Sequence, residues 1–310
     1  MFPKNKSLVC KSAFFLSQTN IFTAQKAAGL DINTICVCGA GTMGSGIAQV
    51  AAQSGFFTLL YDLSPAMLQK ARASIEKNLQ KAVEKKKLSA EEKDNTLSRI
   101  VFTADLQTCL ADLFIEAIVE KPEVKIALFN RLAELNHSEC IFASNTSSLA
   151  ITALAKGIVN PSRVIGLHFF NPAPLMKLVE IVTTPMTDPS LAQRMIRLTE
   201  AMGKTPVVCK DSPGFIVNRV ARPYYIESLR LAEENNISFE QADALMESTG
   251  FRMGPFKLMD LIGNDVNYAV SCSVYEQMNK PERLRPSDIQ KEKVENGELG
   301  QKSGKGYYKY

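Results

Sequence analysis

The chain carries only two histidines, and one of them stands in company that suits proton transfer. His168 opens the run His168-Phe169-Phe170-Asn171-Pro172, directly after the apolar stretch 163–167. Glu180 follows twelve residues later, inside a second apolar stretch, 178–182. A carboxylate within an apolar strand is costly unless it is paired, and the nearby imidazole is its natural partner. Such a pair can take a proton from a hydroxyl. The ring is the base, and the carboxylate fixes the tautomer and stabilises the imidazolium that forms. His137 lacks this setting. It sits in the polar turn Asn136-His137-Ser138-Glu139 and reads as a solvated loop residue.

A second constellation binds rather than reacts. Gly39-Ala40-Gly41-Thr42-Met43-Gly44 follows the β-branched run 34–38 and precedes a helical pattern over 45–54. Asp62 ends the next strand, 18 residues after Gly44. This is the full context of a dinucleotide fingerprint. Gly39 permits the tight turn, Gly41 lets backbone approach a pyrophosphate, and Gly44 lets the helix pack close to the sheet. The helix start then offers unpaired N–H groups to the phosphates. Asp62 would accept from both ribose hydroxyls and repel a 2′-phosphate, and no arginine follows in Leu63-Ser64-Pro65, so the cofactor expected is NAD rather than NADP.

These residues need a sheet to hold them. Strand signals fall at 34–38, 57–61, 100–102, 113–119, 140–143, 163–168 and 178–182. Helical signals fall between them, at 65–87, from a capping box Ser89/Glu92, at 123–135 and at 151–155. That alternation predicts a doubly wound parallel sheet of Rossmann type. Ligands bind such sheets beyond the carboxyl ends of the strands. Glu120, the run Asn145-Thr146-Ser147-Ser148 and His168 all occupy such ends. From Asp211-Ser212-Pro213-Gly214 onward the signals are helical only, at 215–234, 238–249 and 256–279. We therefore divide the chain into an N-terminal extension (1–31), an NAD-binding domain (32–211) and an all-helical domain (212–310).

Composition excludes several classes. At 310 residues, 45% hydrophobic and 22% charged, the chain is neither disordered nor collagen-like nor a disulfide scaffold. It has no run of 18 apolar residues to span a membrane. A net charge of +4 without a basic stripe argues against nucleic acid as partner. Seven scattered cysteines read as reduced thiols, and no His/Cys/Asp cluster has the spacing of a metal site. Residues 1–30 hold four lysines, no arginine and no acid. Two readings stay open: an extension without a role in the fold, giving a cytoplasmic protein, or a transit peptide to the mitochondrial matrix.

Five segments resemble the L-3-hydroxyacyl-CoA dehydrogenase family: GAGTMGSGIAQVAAQSG (39–55), SNTSSL (144–149), HFFNPAPLMKLVEIV (168–182), DSPGFIVNR (211–219) and GQKSGKGYYKY (300–310). The resemblance spans 33–310. It implies reversible oxidation of a 3-hydroxyacyl-CoA with NAD, with His168 as general base and Glu180 as its partner. It further implies that Ser147 and Asn218 hold the substrate's C3 oxygen, with Asn171 beside the histidine. Ser147 and Asn171 would also border the cofactor, and Glu120, Lys125 and Lys302 would stand near its nicotinamide half. Asn78, Lys85 and Lys125 would meet coenzyme A, although at position 78 a family relative carries serine. Members are usually homodimers through the helical domain.

The stretch 251–265 resembles members acting on short or functionalised acyl chains, including 3-hydroxyadipyl-CoA enzymes. In that reading Arg252 meets a distal carboxylate; otherwise it is a surface residue. Short-chain 3-hydroxybutyryl-CoA is the substrate expected first. The alternatives are a 3-hydroxyadipyl-CoA enzyme, a dehydrogenase for a free hydroxy acid of gulonate type, or a non-catalytic NAD-binding protein.

Overall fold

The structure is a computed structural model that describes residues 31–235 and 237–310. The predicted extension, apart from Asp31, lies outside the described residues. The chain forms two compact units, the first ending at Asp211 and the second running Ser212–Tyr310.

The first unit is built on one eight-stranded sheet: β1 (Thr34–Cys38), β2 (Phe57–Tyr61), β3 (Ile100–Thr103), β4 (Leu113–Glu116), β5 (Ile141–Ser144), β6 (Val164–Phe169), β7 (Leu178–Thr183) and β8 (Thr205–Lys210). Its helices are α1 (Thr42–Gln53), α2 (Pro65–Glu84), α3 (Ala90–Ser98), α4 (Pro122–Leu135), α5 (Ile151–Lys156) and α6 (Pro189–Ala201). The strand order is β3-β2-β1-β4-β5-β6-β7-β8. After β1 the chain winds outward to β2 and β3, then returns to lay β4 on the other side of β1. The turns after β1 and β4 therefore meet at the reversal point, where doubly wound sheets bind ligands.

β1 to β6 are parallel, as the alternation predicts, but β7 pairs antiparallel with β6 and parallel with β8. The connection 170–177 is too short for a parallel crossover, which takes roughly a dozen residues or more. It turns back as a hairpin-like return. α6 and β8 have no counterpart in the sequence reading. Asp188 caps α6 and Pro189 opens it, a recognisable start signal. Pro206 masks β8, and β8 tolerates it by being the sheet's edge strand.

Alternation along the strands sorts the side chains into two faces. Ile35, Val37, Leu113, Ile115, Ile141, Ala143, Ile165, Leu167, Val179 and Ile181 face the main core with α1, α2 and α6. The intervening residues face the other way, and among them are Glu116, Ser144, His168 and Glu180.

The second unit is helical, as expected: α7 (Val217–Asn235), α8 (Phe239–Ser248), α9 (Pro255–Ile262), α10 (Asn264–Gln277) and α11 (Asp288–Glu295). The long helix predicted over 256–279 is two helices, broken at Gly263, whose φ of 104° interrupts the helical path. Phe256, Met259, Tyr225, Leu229 and Tyr307 form its core. The C-terminal residues are clasped by Asp260, which is 1% exposed. Its carboxylate accepts from the backbone amides of Tyr307 (3.0 Å) and Tyr308 (2.9 Å) and from the Asn264 amide (3.0 Å). At Gly306 a Cβ would run into that carboxylate, which explains a glycine there.

Candidate active site

The antiparallel ladder sets His168 directly opposite Glu180. Nδ1 of His168 lies 2.7 Å from Oε2 of Glu180. Both residues are buried, at 5% and 0% exposure. An ionised carboxylate can only accept, so in this contact Nδ1 carries the hydrogen and Nε2 is the ring's other basic position. Phe170 packs on the imidazole with ring centres 4.5 Å apart. The amide of Phe169 donates to Oδ1 of Asn145 at 2.8 Å, which ties the end of β6 to the turn carrying Ser147. Ser147 is half-buried in that turn and Asn171 is exposed just past β6. The 170–177 return is held from below by Lys204, whose ammonium donates to the carbonyls of Ala173 (2.5 Å) and Met176 (2.9 Å).

The strand predicted over 113–119 ends at Glu116, because the chain turns there: the Ile118 amide donates to Glu116 Oε1 at 2.7 Å. Glu120 consequently lies in the turn before α4, not at a strand end. Glu116 itself is fully buried and was missed by sequence reasoning. As the single acid in an apolar strand it carried the same signal as Glu180. It accepts from Lys125 at 2.5 Å and from the Ser144 hydroxyl at 2.7 Å. Lys125 also meets Glu120 at 3.0 Å, and Glu120 accepts from the Thr146 and Ser148 hydroxyls. Burial works to raise the Glu120 pKa. The Lys125 charge and the hydrogen bonds from Thr146, Lys125 and Ser148 outweigh it and hold the carboxyl below its ordinary value. At 1% exposure Lys125 has no face left for coenzyme A. The part it can play is to hold Glu120, whose side chain remains 40% exposed.

The glycine turn fits a dinucleotide. Gly39 has a φ of 105°, and a Cβ on it would strike the Ala117 carbonyl, while one on Gly44 would strike the Gly39 carbonyl. Gly41 differs: a Cβ there would meet nothing within 4 Å, so its open side is available to a ligand. α1 begins at Thr42, three residues earlier than predicted. It has no capping side chain and no acid in its first turn, which leaves the Thr42, Met43 and Gly44 amides to an anion. Asp62 Oδ2 accepts from Ala40 N at 2.7 Å and Oδ1 from Ser64 N at 2.9 Å. The carboxylate thus fixes the turn, and its remaining lone pairs can serve ribose hydroxyls. A cleft opens beside this turn, lined by Ala40, Gly41, Thr42, Lys70, Asn78 and Asn171 among others. Asn78 is in the cleft, whereas Lys85 caps the far end of α2, exposed.

Two expected residues belong to the second unit. Asn218 is half-buried in the first turn of α7. Lys302 pairs with Asp265 at 2.5 Å. Burial opposes the Asp265 charge, but Lys302 prevails and holds that carboxyl below its usual range.

A glycine turn at the reversal point of a doubly wound sheet, with a buried His–Glu pair on the same sheet, has the chemistry that a nicotinamide-linked oxidoreductase needs. The NAD binding domain of 3-hydroxyacyl-CoA dehydrogenase matches residues 34–212, and the C-terminal domain of the same enzymes matches 214–310. The chain belongs to the 3-hydroxyacyl-CoA dehydrogenase family. It is 49% identical over 281 residues to a 3-hydroxyadipyl-CoA dehydrogenase of Escherichia coli (strain K12), a match covering 90% of this chain and 59% of that longer protein. It is 42% identical over 295 residues to the mitochondrial hydroxyacyl-coenzyme A dehydrogenase of Sus scrofa, covering 93% and 94%. The crystal structure of an (S)-3-hydroxybutyryl-CoA dehydrogenase from Ralstonia eutropha superposes with a TM-score of 0.86 at 35% identity, covering 90% and 99%.

Proposed function

We propose that the chain catalyses the reversible oxidation of short-chain (S)-3-hydroxyacyl-CoA to 3-ketoacyl-CoA, with 3-hydroxybutyryl-CoA as the first substrate to test. The observation that carries this reading is the buried His168–Glu180 pair, 2.7 Å apart at the carboxyl end of β6. The Gly39–Gly44 turn and Asp62 would hold NAD, which would supply the acceptor for the hydride from C3. His168 takes the hydroxyl proton at Nε2, and Glu180 holds the ring and balances its charge as it becomes imidazolium. Ser147 and Asn218 orient the C3 oxygen. Glu120, held by Lys125, is the group placed to orient the nicotinamide end, and Asn78 borders the acyl-CoA path. The second unit exposes Val220, Leu245 and Leu261, which suits the homodimer implied by the family resemblance.

A second reading, with an acyl chain ending in a carboxylate, is favoured by the likeness to the Escherichia coli relative.

The test is NADH consumption by the purified protein. Acetoacetyl-CoA is expected to be reduced and free acetoacetate to be ignored. Consumption with acetoacetate alone would overturn the CoA reading, and consumption with neither would overturn the activity.

A further inference from the structure

Glu116 is fully buried, at 0% exposure, yet its carboxylate is bonded to three segments that border the candidate site. Oε1 accepts from the Ile118 amide at 2.7 Å and from the Lys125 ammonium at 2.5 Å. Oε2 accepts from the Ser144 hydroxyl at 2.7 Å. Ile118 lies in the turn whose Ala117 carbonyl abuts Gly39. Ser144 ends β5 and leads into the 145–148 run, and its hydroxyl also accepts from the Thr146 amide at 3.3 Å. Lys125 stands in the first turn of α4 and reaches Glu120 at 3.0 Å. A buried ion pair adds little net stability over a well-packed apolar pair of similar volume. What this one supplies is a fixed place for the ammonium that holds Glu120.

We propose that Glu116 is a positioning residue for the nicotinamide end of the cofactor, acting through Lys125 on Glu120. The inference rests on the reading above, in which NAD is held by the glycine turn. The two halves of a doubly wound sheet take the two nucleotides of a dinucleotide. Asp62, just past β2, marks the half that takes adenosine. The ends of β4 and β5 are then left to the nicotinamide nucleotide, and those are the ends that the Glu116–Ser144 bond ties together. Glu116 is too deep to touch a ligand, whereas the Glu120 side chain is 40% exposed. Glu120 is gripped from inside by Lys125 and from the 145–148 run by the Thr146 and Ser148 hydroxyls. With Glu116 in place the Lys125 charge is shared between two carboxylates, and Glu120 keeps lone pairs for a ligand. Without the Glu116 charge, Lys125 is left with Glu120 as its carboxylate partner and draws it inward, away from the cofactor.

The test compares NADH with ADP-ribose, which keeps the adenosine, the pyrophosphate and the second ribose and lacks the nicotinamide. Both dissociation constants are read by titration calorimetry on the full chain. Glu116→Gln removes the charge and keeps the shape: its oxygen can still accept from Ile118 and Lys125, and its amide can donate to the Ser144 hydroxyl. This variant is expected to weaken NADH by about 10-fold and to leave ADP-ribose affinity unchanged. A second variant, Glu116→Leu with Lys125→Met, fills the place of the pair with apolar chains and leaves neither charge buried without its partner. It is expected to show the same selective loss, and it decides the matter if Glu116→Gln does not fold. An equal loss for both ligands overturns the inference, since it would make Glu116 a support of the glycine turn. Unchanged affinity for both overturns it as well, as does a wild type that binds ADP-ribose as tightly as NADH. A wild type that binds neither ligand overturns the NAD reading and the inference with it.

Discussion

At the scale of single residues, the acid placed in an apolar strand proved the most informative signal. Glu180 was legible because its burial demanded a partner and His168 stood twelve residues away. Glu116 carried the same signal and escaped, because the strand was drawn past it to residue 119 and attention fell on Glu120. Where β4 ends is set by the Ile118 amide turning back onto the Glu116 carboxylate, a contact that no local pattern encodes. Lys125 shows the converse limit: the family resemblance implied a ligand contact, while its side chain is buried between the Glu116 and Glu120 carboxylates. The pair itself makes a direct prediction. His168→Gln should lower kcat by about 10²–10⁴-fold with NADH affinity preserved, and Glu180→Gln should impair turnover less, since the base remains. Wild-type turnover in His168→Gln would remove the histidine from the chemistry.

At the scale of elements, strands flanked by turn signals were readable, and those disguised by composition were not. β8 contains a proline and half-exposed residues, so it lacked the apolar run that marked the inner strands. The predicted helix over 256–279 ignored Gly263, because a lone glycine within a helical pattern is tolerated often enough to be passed over. The close of the second unit is likewise a product of packing. Glu298, just after α11, accepts from Lys293 at 2.6 Å and also pairs with Lys305. Hydrogen bonds from Lys293 and then Lys305 hold its carboxyl down, to about 2. An unfolded glutamate titrates near about 4.3. A depressed folded value means that the stabilisation is complete above that pH and disappears as the pH falls from there toward 2. The urea midpoint of the wild type should exceed that of Glu298→Gln at neutral pH, and the gap should close between pH about 4.3 and 2. An equal gap at both ends of that range would show that the ion pairs are not its source.

At the scale of the whole chain, the change from alternating strands and helices to helices alone was visible in the sequence, since it is a change of periodicity sustained over a hundred residues. That the last two strands run against the rest was legible as well and was passed over, since the nine residues between the strands read at 163–168 and 178–182 are too few for a parallel crossover. The division of labour between the units is open to measurement. The glycine turn, Asp62 and the His–Glu pair all belong to the first unit. NADH at about 100 times its dissociation constant should add about 2.7 kcal/mol to the unfolding of the state that binds it, seen as a raised melting temperature. NADPH at the same concentration should do much less, because the Asp62 carboxylate repels a 2′-phosphate. Equal shifts with both nucleotides would show that Asp62 does not choose between them.

His168 and Glu180 meet across a ladder rather than around a loop, so the ladder alone sets their approach. The eight residues from 170 to 177 can change in number without separating them. A single residue gained or lost inside β6 or β7, by contrast, would turn one partner to the opposite face of the sheet. Descendants of this gene can therefore vary the return beside the pair, where Asn171 borders the cleft, while inheriting the His168–Glu180 contact intact.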